Sequence, residues 1–331
     1  MATIVVLGSN AFSGQDFIDL VLDRTDWRVI GVSRSPQIPA FRLRYAARHD
    51  LASRFIFQQL DVNRDMDALL ATLDREQPAF IVNFAAQSEV APSWERPEDW
   101  YQTNCVALAR LINHLRRRDY LERYLHISSP EVYGTCHGTV REDARLNPST
   151  PYAASKAAAD MLLDTYRRQL LFPVMWVRAT NVYGARQQLF KIIPCSAIFM
   201  KLGRTIELHG GGHAVKSYIH VRDVSDGELA ILQRGRVGEL YHLSPDAGVA
   251  VRDVVSLICD RMGRPFDDAT RSVDERPGQD AAYVIDSSKA RRELGWSPCI
   301  SLREGLDEVV NWVDTQWDDI QRQPLSYEHK A

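Results

Sequence analysis

Thr3-Ile4-Val5-Val6-Leu7-Gly8-Ser9-Asn10-Ala11-Phe12-Ser13-Gly14 opens the chain and decides its fold. An apolar, β-branched run ends in a glycine-bounded turn, and 14–23 then carries apolar residues at helical spacing. Glycine at the first turn position permits a sharp reversal. Glycine at the last lets the helix lie close on the strand, so its N-terminal N–H groups face an anion placed over the turn. Ala11 stands where a third glycine is usual, and its methyl narrows that approach. Working outward, short apolar runs recur at 28–32, 54–60, 80–84, 124–128 and 174–178, with amphipathic stretches at 66–76, 100–118 and 152–170. Such alternation predicts βαβ units and a parallel sheet covered on both faces.

After about residue 180 the alternation lapses. The stretch 208–217 is glycine-rich, 218–221 and 239–243 read as isolated strands, and 251–262 and 302–312 read as helices. The expected class is α/β: a Rossmann-type doubly wound parallel sheet over 1–180, joined by about 218–245. A smaller mixed α/β lobe would come from 181–217 and 246–331, with a polar tail from about 316 that frays. Forty basic and 43 acidic residues among 331 nearly cancel, which leaves no basic field for nucleic acid or anionic membrane. No stretch approaches the roughly 18 apolar residues of a membrane helix, and 4–7 is too short for a signal core, so a cytoplasmic location is expected. Five cysteines (Cys105, Cys136, Cys195, Cys259, Cys299) include no CxxC pair, which fits neither a disulfide framework nor a zinc site.

Two further stretches bear on chemistry. A dinucleotide site selective for NAD usually carries an acid about twenty residues beyond the glycines. Here the second strand ends in Ser33-Arg34-Ser35. A cation flanked by hydroxyls suits a 2′-phosphate better than a free ribose diol, so NADP is expected over NAD, unless Arg34 is simply an exposed loop residue. Downstream, Pro151-Tyr152-Ala153-Ala154-Ser155-Lys156 opens a helix capped by Ser149 or Thr150. Spacing of four puts Tyr152 and Lys156 on one face. An ammonium beside a phenol is expected to lower its pKa from about 10 and make it a base. Lysine occurs only six times in the chain, and Ser128-Ser129 ends a strand upstream, placed to orient a reacting hydroxyl.

Together with Asn83-Phe84-Ala85-Ala86-Gln87-Ser88, Ile127-Ser128-Ser129-Pro130-Glu131-Val132-Tyr133-Gly134, Arg178-Ala179-Thr180-Asn181-Val182-Tyr183-Gly184, Lys191-Ile192-Ile193-Pro194, 208–223 and Glu275-Arg276-Pro277-Gly278-Gln279-Asp280, these motifs run in order through almost the whole chain. The sequence resembles the extended short-chain dehydrogenases/reductases, specifically their nucleotide-sugar 4,6-dehydratase branch. The resemblance implies that Tyr152 is the base at the sugar C4 hydroxyl, that Lys156 holds the cofactor ribose and tunes Tyr152, and that Ser129 hydrogen-bonds the C4 oxygen. Glu131 matches the glutamate that removes the C5 proton before water leaves C6. It also implies a cofactor cradle of Gly8, Asn10, Ala11, Phe12, Ser13, Gly14, Ser33, Arg34, Ser35, Asp61, Val62, Phe84, Ala85, Ala86, Gln87 and Asn104, with Tyr152 and Lys156. Substrate contacts would come from Ser88, Glu131, Asn181, Lys191, His209, Lys216 and Arg276, the cations serving a nucleotide diphosphate, and no metal is implied.

Pro130 departs from the pattern. The dTDP-glucose 4,6-dehydratases carry there an aspartate that protonates the leaving hydroxyl, whereas GDP-mannose 4,6-dehydratases carry serine. Either Glu131 shuttles the proton alone, or the chemistry shifts to C4 or C5 epimerisation or a UDP-glucuronate-type decarboxylation. The branch pairs two long helices per subunit, matching 100–118 and 152–170, which implies a homodimer or dimer-based tetramer with Val106, Leu111, Leu115, Met161 and Leu162 available to core or seam. Three other motifs carry less. His209-Gly210-Gly211-Gly212 has no G-x-S-x-G partner for acyl transfer, His209 and His213 lack a third metal ligand nearby, and Arg116-Arg117-Arg118 ends a helix where cations favour the macrodipole.

Overall fold

The computed structural model describes residues 1–136, 138–274 and 284–330. Seven strands, β1 (Thr3–Leu7), β2 (Arg28–Ser33), β3 (Phe55–Gln59), β4 (Phe80–Asn83), β5 (Arg123–Ile127), β6 (Val174–Ala179) and β7 (Leu240–Leu243), form one sheet in the order β7-β6-β5-β4-β1-β2-β3. Every pairing in it is parallel. The interior strands bury nearly every residue, as sheets covered on both faces require. On one face α1 (Phe12–Arg24) packs with α7 (Val221–Arg234) over Val6, Phe17, Ile18, Val21, Ile231 and Tyr241. The other face carries α2 (Met66–Glu76), α4 (Leu108–Leu115) and α5 (Pro151–Leu170) over Val5, Ile30, Leu69, Leu111, Ile112 and Leu163. β7 therefore belongs to the main sheet and is not an isolated strand, because its register with Trp176–Ala179 continues the same hydrogen bonding.

The remaining elements enclose a second core. Helices α6 (Ile192–Lys201), α8 (Val251–Met262) and α9 (Leu302–Thr315) bury Ile193, Ala197, Ile198, Val254, Ile258, Val309 and Val313. Short pairs join this lobe: Asn181–Tyr183 with Tyr218–His220, Ile206–His209 with Thr270–Val273, and Val215–Lys216 with Val249–Ala250. The stretch expected as one helix from 100 is α3 (Pro97–Tyr101), which passes through a π-helical turn (Gln102–Ala107) into α4. Leu111 and Leu115 belong to the core, while Val106 and Met161 stand on the outer face, 47% and 63% exposed. The tail does not fray as expected. A helical turn (Trp317–Ile320) buries Ile320, and beyond it His329 stacks on the buried ring of Trp100. Among the described residues, no helix is long and apolar enough to cross a membrane.

In a sheet of this order the connections leave β1 and β4 toward opposite faces, opening a crevice at the carboxyl ends of those strands. Gly8 (φ +80°) makes the turn there, its N–H donating to the Val32 carbonyl at 2.8 Å. A Cβ on it would lie 2.7 Å from the Ala85 nitrogen, and one on Gly14 would lie 2.7 Å from the Gly8 carbonyl oxygen. Both glycines are required by close packing of the turn.

Candidate active site

Two adjoining clefts meet at the crevice. The larger, about 510 Å³, lies between the sheet and the second lobe and is lined by Phe12, Ser13, Ser88, Glu89, Ser128, Tyr152, Lys156, Asn181, Lys191, His209 and Lys216, among others. The smaller, about 250 Å³, runs along the glycine turn past Asn10, Ser33, Arg34, Ser35, Asp61, Val62 and Ala85. Ala11, Phe84, Ala86 and Ser88 face both. Of the residues expected to hold cofactor, Phe12, Ser13, Tyr152 and Lys156 line the larger cleft, together with the expected substrate residues Asn181, Lys191, His209 and Lys216, whereas Gln87, Asn104 and Glu131 line neither. Gly14 packs behind the turn, and Arg276 with the rest of its motif lies outside the described residues.

The smaller cleft fits a dinucleotide. Among the described residues no side chain caps the first turn of α1, and its N-cap Ala11 lines the clefts with Phe12 and Ser13, so the helix offers its N-terminal dipole to an anion. Ser33 Oγ accepts from the Asn10 N–H at 2.9 Å, and the Asn10 amide donates to the Ser35 and Pro36 carbonyls, fixing the end of β2 against the turn. Asn104 clamps Gln87 from beneath, accepting its N–H at 2.9 Å and donating to its carbonyl at 3.1 Å and to Ser155 Oγ at 2.9 Å.

Tyr152 and Lys156 come from the first turns of α5. Thr150 is the cap, accepting from the Ala153 N–H at 3.1 Å, with Pro151 at the first helical position. Both side chains are buried, at 8% and 3% exposure. Ser129, at the end of β5, hydrogen-bonds the Tyr152 phenol, and Glu131 lies close enough to act on it electrostatically. Ser129 Oγ also accepts from the Glu131 N–H at 3.3 Å, which caps the short helical turn Pro130–Tyr133. Pro130 is buried and presents no donor.

The expected lowering of the Tyr152 pKa is not what the surroundings produce. Burial, reinforced by the Glu131 carboxylate, holds the phenol above its usual range. Lys156 turns its ammonium to the Ile127 carbonyl at 2.7 Å, and burial lowers its own pKa to about 8 against the support of Asp160.

A buried polar network beneath this pair was missed by sequence reasoning. Asp160 Oδ2 accepts from Arg178 Nη2 and Ser128 Oγ, each at 2.6 Å. Arg178 continues to the Tyr133 hydroxyl, which sits 2.7 Å from His242 Nε2. His126, 3.5 Å from Lys156 Nζ, is held neutral by burial. Asp160 lies one turn beyond Lys156, so its helical spacing was the available signal. Glu89 was also missed: its carboxylate pairs with Lys191 at 2.8 Å inside the larger cleft.

Comparison with known proteins places the geometry in a lineage. The family model described as GDP-mannose 4,6 dehydratase matches residues 5–309. The dTDP-glucose 4,6-dehydratase of Haemophilus influenzae is 30% identical, covering 94% of this chain and 98% of its own. That of Xanthomonas campestris pv. campestris is 32% identical over 95% and 94%. The dTDP-glucose 4,6-dehydratase of Streptomyces venezuelae, solved with NAD, superposes with a TM-score of 0.87 at 30% identity, covering 96% and 98%. By its matched sequence and its sheet order, this chain belongs to the GDP-mannose 4,6 dehydratase family, the nucleotide-sugar 4,6-dehydratase branch of the extended short-chain dehydrogenases/reductases.

Proposed function

We propose that this protein is a nucleotide-sugar 4,6-dehydratase that converts a nucleotide-diphosphate hexose to its 4-keto-6-deoxy derivative. The observation that carries this reading is the clustering of Ser129 and Glu131 around the Tyr152 phenol, with Tyr152 and Lys156 lining the larger cleft. A nicotinamide dinucleotide along the glycine turn supplies the two-electron oxidation at C4 and the matching reduction at C6. Tyr152 takes the proton of the C4 hydroxyl, with Ser129 hydrogen-bonded to the same oxygen; the Ser129 hydroxyl favours the phenolate against the burial that opposes it. The C4 ketone acidifies the C5 proton, which Glu131 accepts. The C6–O bond then breaks, and because Pro130 has no proton to give, the Glu131 carboxyl returns its own to the departing hydroxide, releasing water; reduction at C6 is then completed by a solvent-derived proton at C5.

Lys191 and Lys216, in the larger cleft, serve the diphosphate with Arg276. Lys216 offers a point charge where a bidentate arginine would grip two oxygens. This assignment divides the chain into a dinucleotide-binding part built on the seven-stranded sheet and a nucleotide-sugar lobe around α6, α8 and α9. NADP is the preferred dinucleotide, since β2 ends in Ser33-Arg34-Ser35 without a carboxylate, although the Streptomyces venezuelae relative was solved with NAD. The exposed Val106 and Met161 mark the helix face for a second copy, and a monomer by light scattering at micromolar concentration overturns that.

Pro130 favours one rival reading, in which elimination is lost and C4 or C5 is epimerised; a uronate substrate would lead instead to decarboxylation. Mass analysis of products from a panel of UDP-, dTDP-, GDP- and CDP-sugars decides. Loss of one water supports dehydration, loss of carbon dioxide means decarboxylation, and unchanged mass with altered configuration means epimerisation.

A further inference from the structure

The segment following the last helical turn reaches Arg34, which lines the smaller cleft, and Gln87, whose neighbours Ala86 and Ser88 line it. The Lys330 carbonyl oxygen accepts two hydrogen bonds, from Arg34 Nη1 at 2.8 Å and Gln87 Nε2 at 2.6 Å. Those donors sit on opposite banks, one after β2 and one after β4. One residue earlier, His329 lies parallel on Trp100 (ring centroids 5.2 Å apart, 5° between planes) and puts Nε2 2.8 Å from Asp99 Oδ2. Its Nδ1 is 3.0 Å from the Tyr327 hydroxyl, and the Tyr327 ring meets Phe190 edge-on at 5.6 Å. Phe190 adjoins Lys191, which faces the larger cleft.

A polar terminal stretch with no apolar run is expected to remain solvated. This one is anchored at four separate places in the chain: the end of β2, the end of β4, α3, and the loop before α6. Arg34 lines the smaller cleft, Gln87 lies between its lining residues Ala86 and Ser88, and Phe190 precedes Lys191 of the larger cleft. The contacts are also of different kinds, a stacked ring pair, a histidine–carboxylate contact and a bridged carbonyl, so no single surface preference accounts for them.

We infer that Tyr327–Lys330 is a wall of the dinucleotide site, a latch joined to both banks that must lift before the cofactor leaves; this rests on the dinucleotide reading above. The chemistry gives a latch a purpose. The reaction leaves the dinucleotide in its starting redox state, so release between turnovers serves nothing and retention preserves activity. Arg34 is thereby a specificity and a latch residue at once, since the guanidinium that binds Lys330 is the one placed for a 2′-phosphate, while Gln87 serves the latch.

The test is the dissociation rate of bound NADH and NADPH from the purified chain, followed by fluorescence after a chase with excess oxidised dinucleotide. His329→Ala removes the stacked clip without altering either bank. The latch predicts release about tenfold faster, equivalent to about 1.4 kcal/mol, with the melting temperature of the dinucleotide-free protein close to that of the unmodified chain. Unchanged release overturns it, as does faster binding at constant release, which would make the segment a plug. Hydrogen exchange of 327–330 in the unmodified protein gives a readout independent of any variant: slower exchange on adding NADPH supports the latch and faster exchange refutes it. Failure of the unmodified chain to bind either dinucleotide instead overturns the reading on which the latch depends.

Discussion

Replacing Asp160 by asparagine isolates the charge of the network beneath the site while preserving shape. Asp160 and Arg178 are 7% and 5% exposed at the side chain and meet at 2.6 Å. Neutralising one member leaves a buried guanidinium uncompensated, which generally destabilises by about 3–5 kcal/mol. The lower end applies here, because the amide oxygen of the new side chain would still accept from Arg178 or Ser128. Against a typical total of about 5–15 kcal/mol the loss is large. With a urea slope of about 3 kcal/mol/M, the unfolding midpoint should fall by about 1 M. The double variant Asp160→Asn with Arg178→Met should recover much of that loss, because it removes the orphaned charge. Catalysis reports the same coupling: Asp160 supports the Lys156 ammonium, so its neutralisation should move the alkaline limb of the kcat/KM profile to lower pH. An Asp160→Asn protein within about 0.5 kcal/mol of the unmodified chain, with an unmoved pH profile, would refute the reasoning.

Other substitutions separate the proposed steps. Tyr152→Phe should lower C4 oxidation by about 10²–10⁴ while leaving dinucleotide binding largely intact, as read by reduced-nicotinamide absorbance on adding substrate. Glu131→Gln should stall turnover after that oxidation, so the absorbance accumulates while exchange of the C5 proton with solvent deuterium is lost. Arg34→Ala should weaken NADP by about tenfold or more and NAD little, since a charge-assisted hydrogen bond is worth about 1.5–3 kcal/mol; titration calorimetry with both dinucleotides checks it. Burial lowers the His242 pKa to about 3, so between that value and about 6.5 the unfolded chain binds the extra proton and stability must rise with pH. His242→Gln should flatten that part of the melting-temperature profile.

The parallel sheet was legible because each interior strand is a short β-branched run separated by a helical period. β7 was expected within the segment 218–245 that joins the sheet domain but was read as an isolated strand, because four residues such as Leu240–Leu243 carry no mark of the strand they will join. Tyr152 and Lys156 could be singled out because their chemistry demands particular residue types at short spacing, whereas Glu131 and the role of Ser129 came only with the family resemblance. The pairings Glu89–Lys191 and Asp160–Arg178 could not: Lys191 stands out alone and Asp160 follows Lys156 by one helical turn, but their partners are distant in sequence and near only in the fold. The tail misled for the same reason, since its order depends on Trp100, Arg34, Gln87 and Phe190. The phenol's pKa followed burial, which the residue pattern does not display.

The most direct test of the dehydratase account is incubation of the purified protein with its nucleotide-diphosphate hexose in deuterated water, followed by mass and NMR analysis of the sugar. The account predicts a 4-keto-6-deoxy product that has lost one water and carries solvent deuterium at C5, placed there through the exchange that Glu131 governs. A product of unchanged composition with its original hydrogen at C5 would contradict it and identify the reaction as C4 epimerisation.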